Sequence, residues 1–244
     1  MRSRLSVSKY AGQLLIVLVL GLGLPSRAAA AFSFTLIADN SGPFSFVAPT
    51  APSINAAGTV AFLSRLDAGG EGIFIGTGAV PNVTTTIPHT SGPFSRFSVP
   101  SINAGGTTAF FGASDAGGQG IFTGTGAVPN VTKTIADTSG PFSSIRVTAS
   151  IDTASKVAFH ASFAGGTGIV TGTGTAPNVT TIVADSSGAF SAFGSGASIN
   201  AGGTMAFQAL LEAGDRGIFT STGAAPNVTN TIADSTGPLD TFGP

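Results

Sequence analysis

Residues 91–138 read SGPFSRFSVPSINAGGTTAFFGASDAGGQGIFTGTGAVPNVTKTIADT, and variants of this text recur on both sides of them. SGPFS starts at Ser41, Ser91 and Ser139, becomes SGAFS at Ser187 and degenerates to TGPLD at Thr236. Spaced at about 48 residues, the motif glycines Gly42, Gly92, Gly140, Gly188 and Gly237 divide the chain into units 41–90, 91–138, 139–186 and 187–235. A fixed period of this length marks a propeller, a solenoid or another repeat array.

Each unit holds four β-like segments separated by turn residues. Segment A follows SGPFS and is short, as at residues 94–99. Segment B ends in TVAF, TTAF, KVAF and TMAF at Phe62, Phe110, Phe159 and Phe207. Segment C starts at Gly72, Gly120, Gly168 and Gly217 as GIFIG, GIFTG, GIVTG and GIFTS. Segment D runs from Val83, Val131, Val179 and Val228 as VTTTI, VTKTI, VTTIV and VTNTI. Runs rich in Val, Ile, Thr and Phe, bounded by Gly, Asn and Pro, read as strands. After residue 31 no segment shows a capped helical period.

Alternation along segment B predicts packing on both faces. Phe62, Phe110, Phe159 and Phe207 share one face, with Val60, Thr108, Val157 and Met205. Ala61, Ala109, Ala158 and Ala206 lie on the other, where a small side chain in every unit implies a close neighbour. Ile73, Ile121, Ile169 and Ile218 are read as core. The position before segment C varies (Glu71, Gln119, Thr167, Arg216) and is read as a solvated loop. The fold class that follows is all-β, with four tandem four-stranded repeats of propeller-like form. A parallel β-solenoid is the main alternative and a β-sandwich array the third. The strand order is a lone D at residues 32–39, four ABCD units, then a lone A. Two arrangements stay open: a ring strapped by one extra strand, or part of a longer array.

Turn residues have physical reasons. Asn55, Asn103, Asp152 and Asn200 precede segment B in S-I-N/D-x-x-G/S, where an Asx side chain bonds backbone two residues on. Gly58, Gly106 and Gly203 supply positive φ, and Ser155 takes that place in the third unit. Alanine-glycine tracts at Ala68, Ala116 and Ala164 link B to C, and Pro81, Pro129, Pro177 and Pro226 begin the connection to D.

The N-terminus gives an address. Arg2, Arg4 and Lys9 precede the apolar run LLIVLVLGLGL at residues 14–24, then Pro25, Ser26, Arg27 and four alanines. This is a signal-peptide layout with cleavage after Ala30 or Ala31. A helix needs about 20 apolar residues to span the bilayer, so the run is too short to serve as an anchor. The expected product is secreted, to the periplasm or the extracellular space, with no membrane anchor after cleavage. Its loss takes four basic residues and leaves six against 11 acidic ones, a net charge of −5. With a whole-chain charge of −1, nucleic-acid binding by charge is not expected. Charged residues are 9% of the chain, against about 25% ordinarily, and Cys is absent. Disulfides and thiolate chemistry are thereby excluded, and stability has to come from burial and backbone pairing.

Residues 120–145, GIFTGTGAVPNVTKTIADTSGPFSSI, together with SINxxGTVAF-like strings, resemble the repeat of an uncharacterised family of exported bacterial proteins. The resemblance covers residues 32–244 and implies a propeller-like all-β fold and export. It implies no activity, substrate or catalytic residue. Some similar proteins end in a sorting tail with an apolar helix and a basic end, which this sequence does not show.

Chemistry is sparse. His89 and His160 occupy unrelated repeat positions and are read as incidental. Asp39, Asp137, Asp185 and Asp234 end segment D in the first strand and in three units. They either ligate Ca²⁺ or cap the turn into S-G-P. Asp67, Asp115, Glu212 and Asp215, with Glu71, fall near B–C loops and read as solvated. G-x-G strings such as Gly76–Gly78 lack the following helix of a phosphate loop. N-V-T at Asn82, Asn130, Asn178 and Asn227 matches a glycosylation sequon but repeats at one structural position, which suits a turn. No catalytic residue, cofactor or metal is assigned. The expectation is an exported non-catalytic module that binds or scaffolds, with an extracellular protein or glycan as partner. A hydrolase or lyase with a site at the central opening is one alternative. His89, Arg96, Arg146 and His160 would be its repeat-breaking residues. The other alternative is a self-associating structural component.

Overall fold

Strand signals dominate every unit, and the chain folds accordingly. The computed structural model describes residues 33–236. The signal-peptide reading and the lone segment A at residues 237–244 lie outside the described residues. From Leu36 onward the chain clusters as one unit. Among the described residues there is no helix, so none is long and apolar enough to cross a membrane.

Each repeat forms one antiparallel sheet. The first contains β1 (Phe44–Val47), β2 (Ser53–Ile54), β3 (Val60–Leu66), β4 (Glu71–Gly76) and β5 (Thr85–His89). The second contains β6 (Phe94–Phe97), β7 (Ser101–Ile102), β8 (Thr108–Ser114), β9 (Gln119–Gly124) and β10 (Lys133–Asp137). The third is β11 (Phe142–Ile151), β12 (Val157–Phe163), β13 (Gly166–Gly172) and β14 (Thr180–Asp185). The fourth is β15 (Phe190–Ile199), β16 (Met205–Leu211), β17 (Arg216–Ser221) and β18 (Asn230–Asp234). Strand order in every sheet is A-B-C-D, with B and C central. Neighbouring strands pair antiparallel throughout, which excludes the parallel solenoid. The sheets stack face to face in chain order, as successive propeller blades do.

Segment A is longer than its SGPFS end suggests. It runs on through the S-I of S-I-N, so that pair belongs to the A strand as well as to the turn. Prolines decide whether the strand is continuous. Pro49 and Pro52 separate β1 from β2, and Pro100 separates β6 from β7, because a proline has no N–H for the ladder. The third and fourth units carry no proline there, and β11 and β15 run unbroken for 10 residues. Both bulge midway, at residues 146–148 and 194–196.

Segment D, in contrast, starts later than the sequence suggests. Asn82, Asn130, Asn178 and Asn227 adopt φ values of 60–62°, which ends any extended run there. Val83, Val131, Val179 and Val228 are consequently exposed rather than in strand. The variable position before segment C is also corrected. Glu71, Gln119 and Arg216 open β4, β9 and β17, and Thr167 is the second residue of β13. None of the four is buried, and Glu71 pairs with Arg65 of β3 at 3.7 Å.

Two faces of each sheet do different work. Phenylalanines from A, B and C form one face, as Phe94, Phe110 and Phe122 do edge to face at 4.9–6.0 Å. Alanine from B and aliphatic residues from C and D form the other. The core is built where the aliphatic face of one unit meets the phenylalanine face of the next. Ile73 and Ile87 pack with Phe94, Phe97 and Phe110. Ile121, Ile135 and Ala136 pack with Phe142 and Phe159. Ile169, Val183 and Ala184 pack with Phe190, Phe207 and Phe219. On the first unit this role falls to Ile37 and Ala38, which pack with Phe44, Phe62 and Phe74. The lone segment D thus supplies part of the aliphatic face that a preceding unit would present.

The fourth sheet departs from the core expectation. Ile73, Ile121 and Ile169 are fully buried, whereas Ile218 is only half-buried, because no following unit covers it among the described residues. The same contrast separates Ala158, 0% exposed, from half-buried Ala206. Ala158→Leu is therefore expected to cost about 1–3 kcal/mol by overpacking. Ala206→Leu should cost well under about 1 kcal/mol, since the new side chain has room. Urea unfolding of the two variants below about 5 µM checks the pair.

Candidate functional site

The residues that define the repeat meet at the boundaries between units, where they build one junction three times, and a fourth copy forms where residues 37–39 meet the first unit. Its centre is an aliphatic side chain near the end of strand D. Ile87 sits against Gly124 and Gly126 of the second unit, where a Cβ would come within 2.7 and 3.0 Å of it. Ile135 sits likewise against Gly172 and Gly174, at 2.8 and 2.9 Å. Ile37 meets Gly76, at 3.1 Å. The G-x-G strings are therefore seats for a neighbouring unit's side chain. In the last junction Ser221 stands where the other units have the first glycine. There the inserted residue is the smaller Val183, 3.3 Å from the Cβ position of Gly223.

Asparagine closes the junction over this side chain. The Asn178 N–H donates to the carbonyl of Ile135 at 3.1 Å. Its Oδ1 accepts the Asp137 N–H at 2.8 Å, and its Nδ2 donates to the Asp137 carboxylate at 3.0 Å. Asn82 makes the same three bonds to Ile37 and Asp39, and Asn227 to Val183 and Asp185. The left-handed backbone at these asparagines is what turns the side chain back toward the neighbouring strand; Asn tolerates that conformation better than most residues. SGPFS glycines lie directly beneath. A Cβ on Gly140 would sit 2.3 Å from Asn178 Cγ, and one on Gly42 2.4 Å from Asn82 Cγ.

The recurring aspartates thus cap turns and hold neighbours. Asp137 Oδ1 accepts the Ser139 N–H at 2.9 Å and its hydroxyl at 2.5 Å, and Asp39, Asp185 and Asp234 repeat the pattern. Hydrogen bonds from Asn82 and then Ser41 hold the Asp39 carboxyl below its usual range. At Asp137 and Asp185 burial pushes the other way, but the combined serine and asparagine bonds outweigh it. These carboxylates favour the folded state above about pH 4, and that contribution is lost on further acidification. Among the described residues no group of three or more His, Cys, Asp or Glu side chains converges to hold a metal ion.

A second ladder joins the A strands. The Ile102 N–H donates to Ser53 Oγ at 3.1 Å, Ile151 to Ser101 at 3.4 Å and Ile199 to Ser150 at 3.2 Å. Asn55 Nδ2 donates to the Asn103 carbonyl, and Asn103 Nδ2 to the Asp152 carbonyl. The turn role read from S-I-N also holds, since Asn55 Oδ1 accepts the N–H groups of Ala57 and Thr59. Sequence reasoning assigned these residues to turns and missed the bonds to the next unit. Their recurrence at one period was the available signal, but a turn by itself would account for it.

The repeat-breaking residues do not all meet at one site: the Arg146 charge acts on His160 in the third unit, while His89 holds the junction at the end of the first. His89 stands in for the junction aspartate: its N–H donates to Asn130 Oδ1 at 2.7 Å and its Nδ1 accepts the Ser91 N–H at 3.0 Å. Its Nε2 is buried without a partner. His160 lies in the third unit, 3% exposed, with Nδ1 donating to the Gly194 carbonyl in the bulge of β15 at 2.8 Å. Its Nε2 faces the Thr167 hydroxyl. Burial holds the His160 imidazole below its usual range, outweighing the opposing Gly194 bond, and the charge of Arg146 adds a smaller push in the same direction as burial. Arg96 lies over the Phe111 ring at 5.7 Å.

No protein-family model matches this chain, and no curated protein matches it. Beyond the junctions, the loops leading into strand D present exposed valines: Val80 and Val83 in the first unit, Val128 and Val131 in the second, Val179 and Val228 in the others.

His89→Asp should restore the charge-assisted turn and remove the orphaned ring nitrogen. It is expected to stabilise the fold by about 1 kcal/mol, read as a higher urea midpoint. For His160 the lowered folded value means that the unfolded chain binds a proton first. Stability should therefore fall as pH drops below about 6.5. His160→Gln should shrink the loss measured between pH 7.5 and 5.0.

Proposed function

We propose that the protein is an exported, non-catalytic β-repeat module that works by binding or scaffolding. The observation that carries this reading is where the repeated polar residues are used. Serine and asparagine of S-I-N, and the aspartate and asparagine around strand D, bond from unit to unit. Their recurrence is thereby accounted for by architecture, and what the units hold outward in common is a series of apolar loop tips. Exposed apolar side chains repeated along a rigid array suit contact with a macromolecule or glycan better than turnover of a small substrate. Export rests on the leader-like residues 1–31, and an extracellular protein or glycan is the partner class that follows. The resemblance to exported bacterial repeat proteins supports the same address.

Expression of residues 1–244 in a bacterial host tests export directly. The expected product is processed after Ala30 or Ala31, as read by N-terminal sequencing, and recovered outside the cytoplasm. An unprocessed cytoplasmic product would overturn the address. The processed protein is then assayed against glycoside, ester and peptide substrates. Turnover that disappears on His160→Gln or Arg146→Ala would replace binding with catalysis.

A further inference from the structure

The fourth unit presents one half of a junction, and the first unit presents the other half. We propose that the chain associates head to tail, the open face of the fourth sheet in one copy docking on the first unit of a second copy. The partner is a second copy because the junction already occurs between successive units of the chain. Among the described residues the tail half is uncovered, and the head half is covered only at the Asn82 seat, by residues 37–39. This inference goes beyond export and partner binding and stands without them.

On the tail side, Ile232 occupies the position of Ile87, Ile135 and Val183. It is 64% exposed where the other three are fully buried. Asp234 follows it, with its carboxylate already set by Thr236, as Asp137 is set by Ser139. Ser198 and Asn200 are exposed at the positions from which Ser150 and Asn103 reach the next unit. A groove of about 510 Å³ runs past the A-strand residues Ser101, Ser150 and Ser198 and reaches Ala206 and Ile218 on this face.

On the head side, Ile54 is 67% exposed, whereas Ile102, Ile151 and Ile199 are at most 9% exposed. The Ile54 N–H corresponds to the groups that the preceding serines accept, and the Asn55 carbonyl to those that the preceding asparagines bond. Asn82 and Gly76 complete the seat, which the chain's own Ile37 and Asp39 fill. The two occupants are chemically alike. Residues 37–39 and 232–234 both read I-A-D.

Docking therefore exchanges one I-A-D strand for another at Asn82. That swap makes the same bonds it breaks. The gain comes from the rest of the face, where Ile54, Ile218 and Ile232 leave water together and the A-strand ladder extends by one step. Such a contact is heterologous, and repetition leads to chains or rings of copies.

The test uses residues 32–244, which contain the unit that begins at Leu36, with sedimentation velocity from about 5 to 500 µM. Mass is expected to rise with concentration beyond a single copy. Ile232→Asp blocks the tail and Ile54→Asp blocks the head; both positions are exposed, so folding should survive, as circular dichroism checks. Each variant alone should stay monomeric across the range. An equimolar mixture retains one good head and one good tail and should give a one-to-one dimer. A wild-type chain that stays monomeric to 500 µM would overturn the proposal. So would association that survives either variant, or variants that fail to pair when mixed.

Discussion

An aliphatic side chain from strand D, set against glycine on the next unit and closed over by asparagine, is the contact on which the rest of this structure depends. A four-stranded antiparallel sheet of this size has two apolar faces and cannot bury either by itself. Stacking supplies the cover. The phenylalanine face of each unit lies against the aliphatic face of the one before it, and burial of each large side chain contributes about 1.5–3 kcal/mol. The apolar surface is non-directional, so something else has to fix how one sheet sits on the next. The asparagine bonds do that at the D edge, and the serine and asparagine ladder does it at the A edge.

This division of labour explains the composition. With 9% charged residues and no cysteine, the chain has few ion pairs and no covalent staples. Its specificity comes from amide and hydroxyl groups whose partners are backbone atoms and aspartate carboxylates across the junction. Glycine is abundant because close approach demands it in two places, beneath the asparagine and around the seated side chain. Where the seat narrows, as at Ser221, the inserted residue shrinks to Val183. That pairing of a larger seat residue with a smaller insert conserves volume, as packed interfaces must.

Departures from the repeat are informative for the same reason. His89 keeps the turn that an aspartate makes but leaves a ring nitrogen without a partner. His160 replaces an apolar residue, Leu63 or Phe111 in the earlier units, and reaches the bulge of β15. Read along the chain, the two histidines looked like a broken repeat that a catalytic site would need. In space each serves its own interface, in the first and third units.

The sequence by itself determined the all-β class, the four four-stranded repeats, the two-faced packing of segment B and the turns around Asn55 and its counterparts. Those features depend on local chemistry and on alternation at a period of two, both of which are written in contiguous residues. Tertiary structure alone decided what the repeated asparagines, aspartates and glycines hold. Their partners lie some 40 to 50 residues away along the chain, as Asp39 and Asn82 do at a separation of 43. The exposure of Ile218 and Ile232 was hidden for the same reason. Their local text matches that of buried residues in the other units, and what distinguishes them is that no unit covers the fourth sheet among the described residues.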